Sequence, residues 1–390
     1  MDYDVTIIGG GIHGVGVAQA AALQGYKTIL FEQYSCLGEG TSSRSSKLIH
    51  GGLRYLEQFE FSLVRECLVE RKYLLRNAPH LVTLKPVYIP IYKNSKRSPL
   101  MIWLGLIMYA LLGGLSADSK FKIVKKSKWN QLFGIKQEGL LAVFQYFEAQ
   151  TDDKKLTMSV MQSAIEKGAV LNLNTRIEKV ELKQDHCEIT FRDSSGQANK
   201  LKSKTVVNAA GPWANNVLKS VKPLQKTASI DLVQGAHIIL PIALGDEIFY
   251  TESPIDQRPI FVIPWYGDTM IGTTESQFDD DPSKTHPLDS EVKYLLDSFY
   301  FYFPEIKKLE LKVKSKYSGL RVLPKSKRNA NKRSRETLFL LERKLHPRLL
   351  SIFGGKLTSY RATSEQVVLK LKKSLPGHSS YTSTKDLKLS

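Results

Sequence analysis

Glycines 9, 11 and 14 in Val5-Thr6-Ile7-Ile8-Gly9-Gly10-Gly11-Ile12-His13-Gly14, with Glu32 closing the next apolar run, constrain the chemistry of this chain more than any other residues. A G-x-G-x-x-G between an apolar strand and an alanine-rich helix is a dinucleotide-binding fingerprint. Gly9 permits the tight turn, Gly11 lets the backbone approach a pyrophosphate, and Gly14 lets the helix pack on the sheet. Phosphate oxygens then meet N–H groups at the positive end of a helix dipole. Glu32 offers a carboxylate to the adenosine ribose hydroxyls, which argues against a 2′-phosphate and so against NADP. These residues do not choose between FAD and NAD.

The elements that must position this cradle are legible around it. Lys27 to Glu32 reads as the second strand, followed by a polar loop at 38–46 and a helical pattern over 61–77. Two later segments return to the same sheet: Thr205 to Trp213, an apolar strand ending in small residues, and Leu349 to Lys356, a strand ending at glycines before a helix to about Lys373. Segments 177–182, 187–191, 230–240, 258–264, 269–273 and 312–321 suggest an antiparallel sheet inserted into the Rossmann domain. The fold class is therefore α/β, with a discontinuous dinucleotide domain (1–80, 145–215, 345–375) and a mainly antiparallel β-sheet substrate domain (81–144, 216–344). Residues 376–390 read as a frayed tail.

With 390 residues, 42% hydrophobic and 24% charged, the chain is ordinary for a folded protein, and the fingerprint begins too early to leave room for a signal peptide. A cytoplasmic location is expected. Cys36, Cys67 and Cys187 show no ligand spacing, so neither a metal site nor a disulfide framework is expected. The formal net charge of +18 fits an anionic membrane surface or a phosphorylated substrate. Much of it falls between Lys312 and Arg348, without an RNA-binding aromatic signature or helix-turn-helix, so nucleic acid is not an expected partner. Residues Leu100 to Leu115 carry no charge and are flanked by Lys93, Lys96, Arg97, Lys120 and Lys122. A spanning helix needs about 20 apolar residues, so this run fits a helix lying in a membrane interface, on the inner face of the cell membrane. The alternative buries it in the core or in a homodimer interface.

Further motifs carry a resemblance. Ser45-Ser46-Lys47-Leu48-Ile49-His50-Gly51-Gly52-Leu53-Arg54-Tyr55-Leu56-Glu57, Val207 to Ala214, Phe261 to Trp265 with Ile271 to Thr274, Tyr317 to Arg321, and Gly354 to Thr358 occur in the order found in the flavin-dependent glycerol-3-phosphate dehydrogenases. The chain resembles this branch of the D-amino-acid-oxidase-like FAD superfamily over nearly its whole length. The resemblance implies FAD, oxidation of sn-glycerol 3-phosphate to dihydroxyacetone phosphate by hydride transfer from C2 to flavin N5, and quinone as electron acceptor. It also implies cofactor contacts for Gly9, Gly11, Ile12, His13, Gly14, Glu32, Gln33, Thr41, Ser45, Ser46, Lys47, Leu48, His50, Gly51, Gly52, Ala210, Gly211, Trp213, Arg321, Gly355, Lys356, Leu357 and Thr358. Ser45, Ser46 and Lys47 would lie along the isoalloxazine. Arg54, Tyr55, Arg321 and Lys356 would hold the phosphate, guanidinium gripping it through paired hydrogen bonds. His237, then His50, is the expected base, acting near its ordinary pKa, and Arg321 would stabilise a developing alkoxide.

The chain departs from the family where many members carry basic residues at the positions of Asp231 and Gln234, and an arginine near Lys154-Lys155. Members of the family continue past the Gly-Gly-Lys-Leu-Thr helix into a separate helical domain, which is not expected in this chain. Two other readings stay open: a related flavin oxidase or dehydrogenase of another 2-hydroxy acid or amine, and a non-catalytic flavin-binding membrane scaffold.

Overall fold

Alternation of side chains between two buried faces decides the central strand, Tyr3–Ile8. Val5 and Ile7 enter one core with the helices Ile12–Leu23, Asp153–Glu166 and Tyr360–Leu371, while Ile8 enters the other with Val180, Ile189 and Leu218. Covered on both faces, the strand reads as a continuous apolar run. It pairs in parallel with Thr28–Phe31 (Val5 opposite Thr28) and with Ala198–Asn208 (Ile7 opposite Val207). Parallel pairing continues outward to Val170–Asn172 on one side and Leu349–Phe353 on the other. The structure, a computed structural model, describes residues 1–325, 337–377 and 382–389.

Among these residues nine strands form the first sheet and ten the second. Strands Arg176–Leu182 and Cys187–Arg192, counted with the antiparallel segments although they fall within 145–215, extend the first sheet as an antiparallel arm against Ala198–Asn208. Their alternation is the same in either place, and the long partner strand decides where they pair. The second sheet is built around Ile230–Leu240, Pro259–Trp265, Asp268–Gly272, Ser315–Pro324 and the long hairpin Val82–Tyr92 with Leu140–Thr151. That last strand runs through residue 145, where the sequence reading places a domain boundary, and pairs with Leu48–Ile49. The 41–49 segment therefore crosses from one sheet to the other.

The helix Phe61–Asn77 forms where its periodicity predicts it. The uncharged run forms the helix Pro99–Leu112, started by the Ser98 hydroxyl accepting from the Met101 N–H and by a proline in its first turn. Ile102, Leu106, Tyr109 and Ala110 face inward, whereas Leu100, Met101, Trp103, Leu104, Met108 and Leu111 are exposed. Among the described residues no helix is long and apolar enough to cross a membrane.

Residues 382–389, expected as part of a frayed tail, are docked. Glu365 accepts from the Thr384 N–H at 2.7 Å, Arg361 donates to the Thr384 hydroxyl at 3.1 Å, and the Leu389 N–H bonds to the Asn77 carbonyl at 2.8 Å. A polar sequence is held here by specific hydrogen bonds to two helices. Part of the basic run between Lys312 and Arg348 (326–336) lies outside the described residues.

Candidate active site

A cavity of about 1050 Å³ follows the carboxyl ends of the parallel strands, from Gly9, Glu32 and Arg176 at one end to Arg54, Arg321 and Lys356 at the other. At its first end the glycines behave as their spacing predicts. Gly9 has φ +107°, and a Cβ on Gly14 would lie 1.9 Å from the Gly9 carbonyl, so helix and turn can meet only if residue 14 has no side chain. Gly14 therefore packs rather than lines the cavity. Glu32 is buried and accepts from the Gly10 N–H at 2.6 Å and the Tyr34 N–H at 3.0 Å. Burial raises its pKa, and the backbone donors oppose that rise. A carboxylate has about four acceptor positions, so it can hold the turn and still face a ribose. The Ser42 hydroxyl, missed by the sequence reading, accepts from the Ile12 N–H at 2.9 Å and closes the loop over the helix start.

Of the other expected cofactor residues, Ile12, His13, Gln33, Thr41, Ser45, Ser46, Leu48, His50, Gly52, Ala210, Gly211, Trp213, Gly355, Leu357 and Thr358 line the cavity. Lys47 and Gly51 do not. Lys47 has φ 58°, a left-handed turn that aims its side chain away from the wall. Its ammonium pairs with Asp153 at 2.6 Å, in a position where both groups are buried. Asp153 also accepts from the Ser45 hydroxyl at 2.7 Å and the Ser45 N–H at 3.1 Å. Lys47 itself does not line the cavity, although its partner Asp153 does, and the pair fixes Ser45 beside it.

At the far end Arg321 donates to Glu275 at 3.0 Å and to the Thr273 hydroxyl at 3.0 Å, which fixes the plane of its guanidinium. Arg258, also missed, donates to the Glu275 carbonyl at 3.1 Å and lines the same region with Arg54, Tyr250 and Phe261. The Lys356 ammonium lies 3.8 Å from the Tyr55 ring centroid, a cation–π contact. Gln234 is turned away: its amide donates to Glu291 at 2.8 Å, and neither it nor Asp231 lines the cavity. Their departure from basic residues therefore lies outside the wall. Lys154 pairs with Glu39 at the cavity edge, at 2.6 Å.

His237 stands on Ile230–Leu240, its ring stacked on Tyr317 with centroids 4.9 Å apart and its Nε2 2.9 Å from the Ser46 Oγ. Its Nδ1 is buried without a hydrogen-bond partner among the described residues. Burial, then the charges of Arg321 and Lys47, hold its pKa well below the ordinary value. This corrects the expectation of a histidine near its ordinary pKa: the ring is neutral because protonation is penalised. His50 lines the cavity beside it, its N–H donating to the Thr358 hydroxyl at 3.1 Å.

Two sheets, a glycine cradle at the strand ends and a cationic far end define a dinucleotide-binding α/β fold carrying a second sheet. The model of the family described as FAD dependent oxidoreductase matches residues 4–361, and the chain belongs to that family. It is 34% identical over 387 residues to a glycerol-3-phosphate dehydrogenase of Synechocystis, covering 95% of this chain and 70% of that protein. It is likewise 34% identical over 379 residues to a D-erythritol 1-phosphate dehydrogenase of Brucella abortus, covering 96% of this chain and 74% of that protein. Among solved structures, the glycerol-3-phosphate dehydrogenase of Bacillus halodurans complexed with FAD superposes with a TM-score of 0.77 at 27% identity, over 100% of this chain and 68% of that one.

FAD is the family's cofactor, and the residues present fit it. The glycine cradle would admit a diphosphate, Glu32 lines the same end where it would meet the ribose, and the His13 Nε2 is buried against the cavity without a partner among the described residues.

Two outcomes test this site. Gly14→Ala should cost about 3 kcal/mol in urea unfolding of the flavin-free chain. Gly11→Ala, whose methyl would meet only the Ser42 hydroxyl at 3.2 Å, should leave that stability intact and weaken FAD retention at least about tenfold. Burial lowers the His13 pKa from 6.5 to about 4. The unfolded chain then binds the extra proton first, so stability present above pH 6.5 is lost as pH falls. Between pH 7 and pH 5 the wild type should lose about 2 kcal/mol more than His13→Asn. Equal losses would remove His13 from the account.

Proposed function

We propose that this chain oxidises sn-glycerol 3-phosphate to dihydroxyacetone phosphate. The observation that carries the reading is one cavity with a dinucleotide cradle at one end and Arg54, Arg258, Arg321 and Lys356 at the other. Three guanidinium groups and an ammonium, balanced by Glu275, suit a phosphate dianion. The glycerol-3-phosphate dehydrogenases among the relatives support it. Bound FAD supplies a hydride acceptor. The protein's own part is to grip the phosphate through Arg54 and Arg321, to place the substrate carbon, and to take the hydroxyl proton on the neutral His237 imidazole. A phosphate seated on Arg321 would offset one of the charges that depress His237, so substrate binding itself raises the base strength. Tyr317 and Ser46 fix the ring. The D-erythritol 1-phosphate dehydrogenase of Brucella abortus, equally similar, favours a four-carbon polyol phosphate as the second substrate to test.

Electrons pass onward to quinone from a protein seated on the inner face of the membrane. The helix Pro99–Leu112 supports this part of the reading: its outward face is apolar, its flanks are basic, and Leu53 of the substrate-side turn packs near its Gly105.

Anaerobic mixing of the FAD-loaded protein with sn-glycerol 3-phosphate should bleach the flavin saturably, and a flavin that stays oxidised would overturn the assignment. Arg321→Ala and Arg54→Ala should each raise KM about 100-fold, and His237→Ala should lower kcat more than it raises KM. Vesicles containing phosphatidylglycerol should retain the wild type, and Leu104→Ser with Leu111→Ser should lower that affinity at least about tenfold. Equal retention of both would assign that face another role.

A further inference from the structure

Behind the substrate-side loop lies a buried ionic cluster that the proposed reaction leaves unused. Arg71, on the helix Phe61–Asn77, is fully buried and donates to Glu148 at 2.6 Å, to the Phe147 carbonyl at 2.8 Å and to the Asp118 carboxylate at 3.0 Å. Glu148 accepts a further hydrogen bond from the Tyr109 hydroxyl at 2.5 Å. That hydroxyl in turn accepts from the Gly51 N–H at 3.1 Å. Burial keeps the Tyr109 phenol protonated and raises the pKa of Glu148, which Arg71 and Tyr109 oppose. The order of donors is thereby fixed: Arg71 and Tyr109 donate to Glu148, and Gly51 donates to Tyr109.

Gly51 has no room to shift toward the helix. A Cβ there would lie 2.5 Å from the Tyr109 hydroxyl oxygen. One residue on, Gly52 turns the chain with φ +81° into the 3-10 segment Leu53–Gln58, which carries Arg54 and Tyr55. One residue back, His50 is tied to Thr358. The segment that presents Arg54 is therefore held on one side by the Gly354–Thr358 turn and on the other by the Gly51 N–H, which donates to the Tyr109 hydroxyl at 3.1 Å and at the longer distance of 3.4 Å to Glu148.

We propose that Tyr109 is a positioning residue, which through the Gly51 amide sets where Arg54 and His50 stand in the cavity. The proposal rests on the reading of Arg54 as a phosphate ligand. Arg71, Glu148 and Asp118 hold the phenol; Glu148 itself reaches the cavity wall, whereas Tyr109, Arg71 and Asp118 do not line it.

The test compares FAD-loaded wild type, Tyr109→Phe and Ser98→Ala with sn-glycerol 3-phosphate and a soluble dye acceptor. Ser98→Ala weakens the same helix at its cap, far from Gly51. Tyr109→Phe should raise KM about tenfold while lowering kcat less than about threefold, with Ser98→Ala within about twofold of wild type in KM. A KM for Tyr109→Phe within about twofold of wild type, or an equal rise for Ser98→Ala, would overturn the proposal. Gly51→Ala presses on the same contact from the loop side and gives the same reading if Tyr109→Phe does not retain flavin. Should the wild-type flavin not be bleached at all, the substrate reading fails by itself. FAD dissociation, followed by fluorescence, then decides: faster for Tyr109→Phe than for Ser98→Ala supports the positioning role, and equal rates reject it.

Discussion

Everything at the site depends on one buried ion pair. Lys47 belongs to the segment that leads into the second sheet, and Asp153 begins a helix packed over the first, so their contact at 2.6 Å joins two separately cored layers. Removing one partner of such a pair strands a charge and costs roughly 3–5 kcal/mol. The pair is also selective in what it holds. The same carboxylate fixes Ser45, and the next hydroxyl, Ser46, meets the His237 Nε2 at 2.9 Å. The orientation of the His237 imidazole is thus anchored to the dinucleotide half of the molecule, although the histidine itself stands on a strand of the other half.

The electrostatics follow one rule, that cations are seated before any ligand arrives. Arg321 lies between Glu275 and Thr273, Lys356 lies over Tyr55, and Arg258 is held by Asp256 and the Glu275 carbonyl. Groups held in this way need little reorganisation on binding, which is where much of the discrimination between an anion that fits and one that does not arises. Glu275 has a double role: it orients Arg321 and lowers the net charge of the far end.

Local signals were the legible part of the chain. The glycine spacing, Glu32, and the helix at 61–77 all follow from interactions within about thirty residues, and each stands where the sequence places it. Non-local geometry was not legible. Asp153, Arg258 and Glu275 carry no motif of their own, and they enter the cavity only because strands distant in sequence become neighbours. At Lys47 the motif specifies a residue type but not the left-handed backbone that turns its side chain onto Asp153. The strands at 176–192 alternate as any half-buried strand does, so only the pairing partner could assign them to a sheet. His237 was found by its motif, but its low proton affinity comes from burial and from Arg321, neither of which is written near it.

The strand Leu349–Phe353 lies directly beside Val206–Asn208, and its end supplies Gly354 to Thr358 to the cavity wall. During synthesis this wall is missing until Thr358 has left the ribosome, although domains begin to fold from the N-terminal side. The glycine cradle is therefore made first and waits, open along one edge, for a segment translated more than three hundred residues later. Because a ligand stabilises only the folded state that binds it, bound FAD adds to the stability of the wall that this late segment completes.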